Sequence, residues 1–240
     1  MMQRPIMRQQ WLNLLFLHWG YPPETVQKTL PPGLEPDCFD GQAWVAVVPF
    51  FMCRVRPVGL PAVPMLSWFL ELNVRTYVRA GDQTGVWFYS LDCNQPLAVE
   101  IARAGFSLPY EHARMRARHG LMIDYHCHRY GLEEAWRYTY RGDGLPRRAL
   151  NDSFETYLLE RYHLISPRRA GGFFCGRVAH APYQVEAASV PAFDSRPIAA
   201  AGLPLPEKPP DHVCYSREVN VEIFPVQAIE PPAIQMAPTS

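Results

Sequence analysis

The chain has 240 residues, 48% of them hydrophobic and 12% aromatic, and its 23 basic and 23 acidic side chains give a formal net charge of zero. This length suits one domain with a real core, and the balanced charge excludes a general attraction to nucleic acid or to an anionic membrane. Lysine occurs only at Lys28 and Lys208, and six scattered cysteines without a Cys-x-x-Cys pair point to reduced thiols in a cytoplasmic protein rather than a disulfide framework.

Near the N-terminus, Arg4 and Arg8 precede LNLLFL, a run too short to span a membrane and without a small-residue cleavage site. Residues 11–19 read as a buried strand, because Gly20 and Pro22 follow at once. A short helix is expected over 23–30, then a long strand over 41–55 with a bend at Pro49. The prolines of 57–67 mark a loop. Strands 70–79 and 85–91 form a hairpin around AGDQTG. A helix follows over 95–104, capped by Asp92 or Asn94, with Leu97, Ile101 and Ala104 turned to the sheet. Residues 112–119 alternate basic and apolar like an exposed edge strand, and 124–142 read as two more strands. Asp152 and Glu155 open a short helix ending near Arg161. Strands over 173–190 and 212–226 flank a proline-rich loop at 191–210. One β-rich domain is expected over 1–226, with a disordered tail over 227–240. The fold class is α+β and β-rich, a β-barrel or strongly curved sheet with a few short flanking helices.

The segment ELNVRTYV holds the candidate site. Strand alternation sets Glu71, Asn73, Arg75 and Tyr77 on one face. That face either lines a ligand cavity or is the solvated side of an antiparallel sheet. The neighbouring VWFYSL, apolar on both faces, favours burial. Glu71 would then be paired with Arg75 or Arg103. His126 and His128 share a strand face, but no third ligand completes a metal site nearby. His18 and His180 read as structural. No GxGxxG, P-loop, GxSxG or HExxH occurs.

The pieces LLFLHW, LPPGLEPDCFDGQAWVAVVPF, ELNVRTYV, GVWFYSLD, ARAGFSLPY and LLERYHL resemble the YqjF-like bacterial family of unknown function over roughly residues 8–225. That family is similar to a distant branch of the acetoacetate decarboxylase superfamily, which implies a cone-shaped antiparallel β-barrel. The decarboxylase motif ends in Gly-Arg-Glu-x-x-Gly-Phe-Pro-Lys-Lys, and Ala102 to Glu111 falls on it without a gap. Arg103 and Pro109 match, as Glu71 matches the strand glutamate. Tyr110 stands at the position of the Schiff-base lysine, and a phenol cannot form an imine.

The expected function is therefore binding or transformation of a small carboxylate or carbonyl compound without a Schiff-base lysine. Glu71 and Tyr110 are the candidate acid/base pair. Asn73, Arg75, Tyr77 and Arg103 are the candidate substrate-binding groups. No cofactor and no metal are expected, and no nucleic-acid or membrane partner; a homo-oligomer stays open. The alternative is a non-enzymatic protein whose barrel interior is a salt-bridge network.

Overall fold

Long runs of β-branched and aromatic residues make this chain a sheet protein. A computed structural model describes residues 3–230. The strands are β1 (Met7–Tyr21), β2 (Glu35–Pro36), β3 (Ala43–Pro57), β4 (Phe69–Ala80), β5 (Gln83–Cys93), β6 (Tyr110–His119) and β7 (Ile123–Arg129). They continue with β8 (Trp136–Gly142), β9 (His163–Pro167), β10 (Phe173–His180), β11 (Val185–Glu186), β12 (Ala188–Ala192), β13 (His212–Ile223) and β14 (Gln227–Ile229). Among the described residues, short helices are interspersed: α1 (Pro23–Gln27), α2 (Pro96–Phe106), α3 (Phe154–Leu159) and α4 (Arg196–Ala200).

The pairings β1–β3–β4–β5–β9–β10–β13 return to β1, so the sheet closes into a barrel. The closure is mixed rather than wholly antiparallel. β5 runs parallel to β9 at Val86 and Trp87, and parallel to β6 at Leu91–Cys93. The β5–β6 ladder is parallel because α2 carries the chain back across the sheet between them. β6 in turn carries β7, β8 and β12 as a side sheet. The basic segment at 112–119 meets β5 only at His112, and from Ala113 to His119 it pairs with β7 on one side. Its Ala113 and Met115 are buried, while Arg114, Arg116 and Arg118 face outward.

Two cores result. Leu72, Val74 and Val78 of β4 pack with Tyr125, Cys127, Trp136 and Tyr138 of the side sheet. The opposite face of β4 looks into the barrel, so both faces of this strand are buried. That overturns the solvated-face alternative. All six cysteines are free thiols. Strand β14 pairs with β10, so residues 227–229 continue the sheet past the expected boundary at 226. Residues 231–240 of the expected tail lie outside the described residues.

Candidate functional site

Period-two alternation brings Glu71, Asn73 and Arg75 to the wall of a cavity of about 630 Å3 inside the barrel. They are only 2%, 4% and 8% exposed. Most of the remaining wall is apolar: Trp11 and Leu14 from β1, Val48, Phe50 and Met52 from β3, Phe88 and Leu91 from β5. Such a volume lies within the range of about 300–1,000 Å3 usual for small-molecule sites. The pocket is thus apolar with a few polar groups, rather than polar throughout.

Helix α2 and the parallel β5–β6 ladder deliver Tyr110, in register with Leu91. The helix stops at Ser107, whose φ of 52° is left-handed. Ser107 falls on a glycine of the decarboxylase motif, which is what a left-handed helix end favours. The Tyr110 hydroxyl then donates to Glu71 Oε2 at 2.7 Å. Tyr125 anchors the same strand by donating to the Glu71 carbonyl oxygen at 2.7 Å. Burial pushes the Glu71 carboxyl from 4.5 up to about 7, against the opposing pull of the Tyr110 and Asn73 hydrogen bonds. Burial and the neighbouring Glu71 push the Tyr110 phenol well above its ordinary value. Tyr110 is therefore a donor that holds Glu71, and its use as a base at neutral pH is disfavoured.

Arg75 departs most from expectation. No ion pair joins it to Glu71 or to any other acid among the described residues. Its Nε and Nη2 have no protein hydrogen-bond partner, nor has Asn73 Oδ1. The guanidinium lies 5.5 Å from the Phe16 ring centre and 5.9 Å from that of Tyr77. Cation–π attraction offsets part of the desolvation but supplies no counter-charge. The expected Glu71 pairing fails because the two side chains have other surroundings: Glu71 faces Tyr110, and Arg75 faces aromatic rings.

Two further expectations are corrected. Arg103 does not line the cavity. It is half-exposed, and its Nε donates to the Tyr110 carbonyl oxygen at 2.7 Å while Nη2 meets Glu111 Oε2 at 3.1 Å. It fixes the backbone of Tyr110 from outside, a consequence of sitting on the outer side of α2. Tyr77 is buried but also off the cavity wall. Its hydroxyl donates to the Leu158 carbonyl oxygen at 2.8 Å and lies 3.0 Å from His18 Nε2.

The sequence reading missed the groups behind the site. Asp92, read as a helix cap, is fully buried and takes Arg129 Nε at 2.6 Å and Nη2 at 2.8 Å. Arg161, at the cavity wall, pairs with Asp37 at 2.7 Å. No local signal joins residues so far apart in the chain. Neither lysine approaches the cavity: Lys28 is exposed, and Lys208 pairs with Asp211 at 2.6 Å. The rings of His126 and His128 are engaged by Asp124 and by the Leu132 carbonyl oxygen. Donor atoms of Glu155, His212 and Cys214 lie within 4.8 Å of one another, but Arg147 already holds Glu155 and no ion-ready arrangement follows.

Comparison with known proteins fits this geometry. The model of the DUF2071 family, described as an uncharacterized conserved protein, matches residues 8–220. The chain is 35% identical over 224 residues to the uncharacterized protein YqjF of Bacillus subtilis (strain 168), covering 92% of each. Among solved structures, acetoacetate decarboxylase from Legionella pneumophila superposes with a TM-score of 0.66 at 13% identity, over 95% of this chain and 88% of that one. The enduracididine biosynthesis enzyme MppR complexed with pyruvate gives 0.64 at 12% identity, over 96% and 93%. At such identities these two establish an acetoacetate decarboxylase-like fold and nothing finer. With its family match spanning nearly the whole barrel, this chain belongs to the DUF2071, YqjF-like family.

Proposed function

We propose that this protein binds a carboxylate-bearing carbonyl metabolite in the barrel cavity, with Arg75 as the carboxylate clamp and Glu71 as the group that exchanges a proton with it. One observation carries the reading: a buried guanidinium at a cavity wall, with two nitrogens free of protein partners. A buried charge without a counter-charge is costly, and a ligand carboxylate supplies both the charge and a planar match to the guanidinium fork. Glu71, with its carboxyl at about 7, is the side chain of the cavity best poised to take or give a proton at neutral pH. A structural neighbour of the same fold is complexed with pyruvate, a carboxylate-bearing carbonyl compound. Imine chemistry does not enter, since a tyrosine occupies the lysine position and both lysines lie on the surface.

The test is a thermal-shift titration with pyruvate, acetoacetate and longer monocarboxylates, on wild type and Arg75→Met. Ligand at about a hundred times Kd stabilises by about 2.7 kcal/mol. A saturable rise in melting temperature that vanishes in Arg75→Met is expected. Equal shifts in both proteins, or none with any carboxylate, would sink the clamp. The salt-bridge-network alternative has buried pairs in Asp92–Arg129 and Arg161–Asp37 behind it, but it leaves the guanidinium of Arg75 without an acid.

A further inference from the structure

We infer that the acid bound in this cavity is lipophilic, an elongated monocarboxylate with an apolar body rather than a compact, polar keto acid. The inference rests on the Arg75 clamp proposed above and adds the chemistry of the rest of the ligand.

Three observations carry it. The first is size. At roughly 30 Å3 for each water-sized group, 630 Å3 accommodates about twenty heavy atoms, several times what pyruvate or acetoacetate needs. The second is shape. Phe69, Glu71, Asn73 and Arg75 all line the same cavity, so it follows β4 from the strand's start inward. At about 3.3 Å per residue, Phe69 and Arg75 are about 20 Å apart along the strand. The guanidinium lies at the inner end and the apolar wall leads outward. The third is the entrance. Leu60, Val63 and Leu66 of the loop after β3, with Leu97 and Ile101 of α2, line the cavity and are also solvent-exposed, from 44% to 59%. Isolated surface hydrophobics are ordinary, but five at one cavity mouth are not. They make an apolar stretch of the entrance along which a hydrocarbon chain can enter, beside the polar Gln9, Arg56, Ser67 and Gln95 of the same wall. Between Phe69 and Arg75 the polar groups that β4 turns to the cavity are Glu71 and Asn73, with Tyr110 bonded to Glu71, whose carboxyl burial pushes up to about 7.

The occupant is therefore an acid whose head reaches Arg75 and whose tail runs along the apolar wall toward the mouth. Isothermal titration calorimetry with butanoate, octanoate, dodecanoate and dodecanol, each below its micelle concentration, tests this. Affinity is expected to climb with chain length, up to roughly fourfold per buried methylene, the equivalent of ~0.8 kcal/mol. Stoichiometry should be one, and dodecanoate should bind at least tenfold tighter than dodecanol in wild type but not in Arg75→Met. Ala102→Trp, which places a bulky ring in the cavity from α2, should abolish dodecanoate binding. Should that variant fail to fold, the count of bound acids by native mass spectrometry still separates one cavity site from surface adsorption. Affinity flat or falling with chain length, with butanoate still dependent on Arg75, overturns the lipophilic body and leaves the clamp standing. Chain-length dependence with equal affinity for acid and alcohol overturns the acid, and the clamp with it. Several bound acids per chain, or binding undiminished in a folded Ala102→Trp, overturns the cavity as the site.

Discussion

Glu71 is the residue whose behaviour is most sensitive to the site. Its carboxyl titrates at about 7 when folded and near 4.5 otherwise. The fold favours the neutral form, so between these values the native state holds a proton that the unfolded chain has released. Stability contributed by Glu71 is complete below pH 4.5 and is lost as pH rises to about 7, by an amount on the order of 3 kcal/mol. Other groups titrate too, and buried His18 and half-buried His180, their imidazoles pushed down by desolvation, act in the opposite direction. Glu71→Gln removes the charge alone, so the difference between the two proteins isolates this carboxyl. Urea unfolding at about pH 5 and about pH 8 should show Glu71→Gln gaining on wild type at the higher pH. A constant difference between them would mean that Glu71 is ionised throughout. The hydroxyl of Tyr110 lowers the Glu71 titration, so Tyr110→Phe should move it further upward in a carbon NMR titration. It should also cost about 1–3 kcal/mol for the donor lost to a buried carboxylate. The place of Glu71 on an inward strand face was legible from strand alternation. Its partner was legible only as Tyr110 through the family motif, and the absence of the Arg75 pair was not, since alternation gives a face and not a distance.

At the scale of elements, α2 shows where local pattern stops being informative. Leu97, Ile101 and Ala104 suggested the buried stripe by their spacing. The fully buried residue is Val99, with Ala98, Ala102 and Phe106 packed beside it. Leu97 and Ile101 are left at the cavity mouth, half-exposed. The N-cap is Gln95, whose Oε1 accepts from the Leu97 amide at 3.2 Å. Asn94 is drawn away to the Leu70 amide at 2.8 Å, and Asp92 to Arg129. In the same way α3 is capped by Ser153 rather than Asp152, and it ends at Leu159. Helix existence was legible in each case, while cap identity was decided by distant partners. The end of α2 gives a prediction of its own. Ser107 holds a left-handed backbone that costs a non-glycine residue roughly 1–2 kcal/mol, partly offset by the greater unfolded-state freedom of glycine. Ser107→Gly should raise the free energy of urea unfolding by a few tenths to about 1 kcal/mol, with a higher midpoint and the cavity unchanged. A loss of stability would show that the side chain, rather than the turn, matters there.

Over the whole molecule, the barrel closes where β5 meets β9 across only Val86–Leu164 and Trp87–Ile165. Gly85 permits that approach, since a Cβ there would lie 3.0 Å from Ile165 Cγ1 and 3.1 Å from the His163 carbonyl oxygen. A β-rich barrel was legible from strand count and turn signals. The parallel seams were not, because β9 is only five residues long and β6 reads as an edge strand until its partner on β5 is known. The closed barrel is what keeps Arg75 buried away from any acid, and the stability of the entire fold reports on that arrangement. A cation already paired inside the barrel would make Arg75→Met lose about 3–5 kcal/mol, because its partner is left stranded. An unpaired cation has no partner to strand, and methionine fills much of the space with an apolar chain. The direct measurement is the free energy of urea unfolding of ligand-free Arg75→Met against wild type at neutral pH. A guanidinium kept free for a ligand carboxylate predicts equal or greater stability in the variant, within or above about 0.5 kcal/mol of wild type; a loss of 3 kcal/mol or more, on the order expected for a broken buried ion pair, would mean that Arg75 is a structural charge and that the cavity holds no clamp.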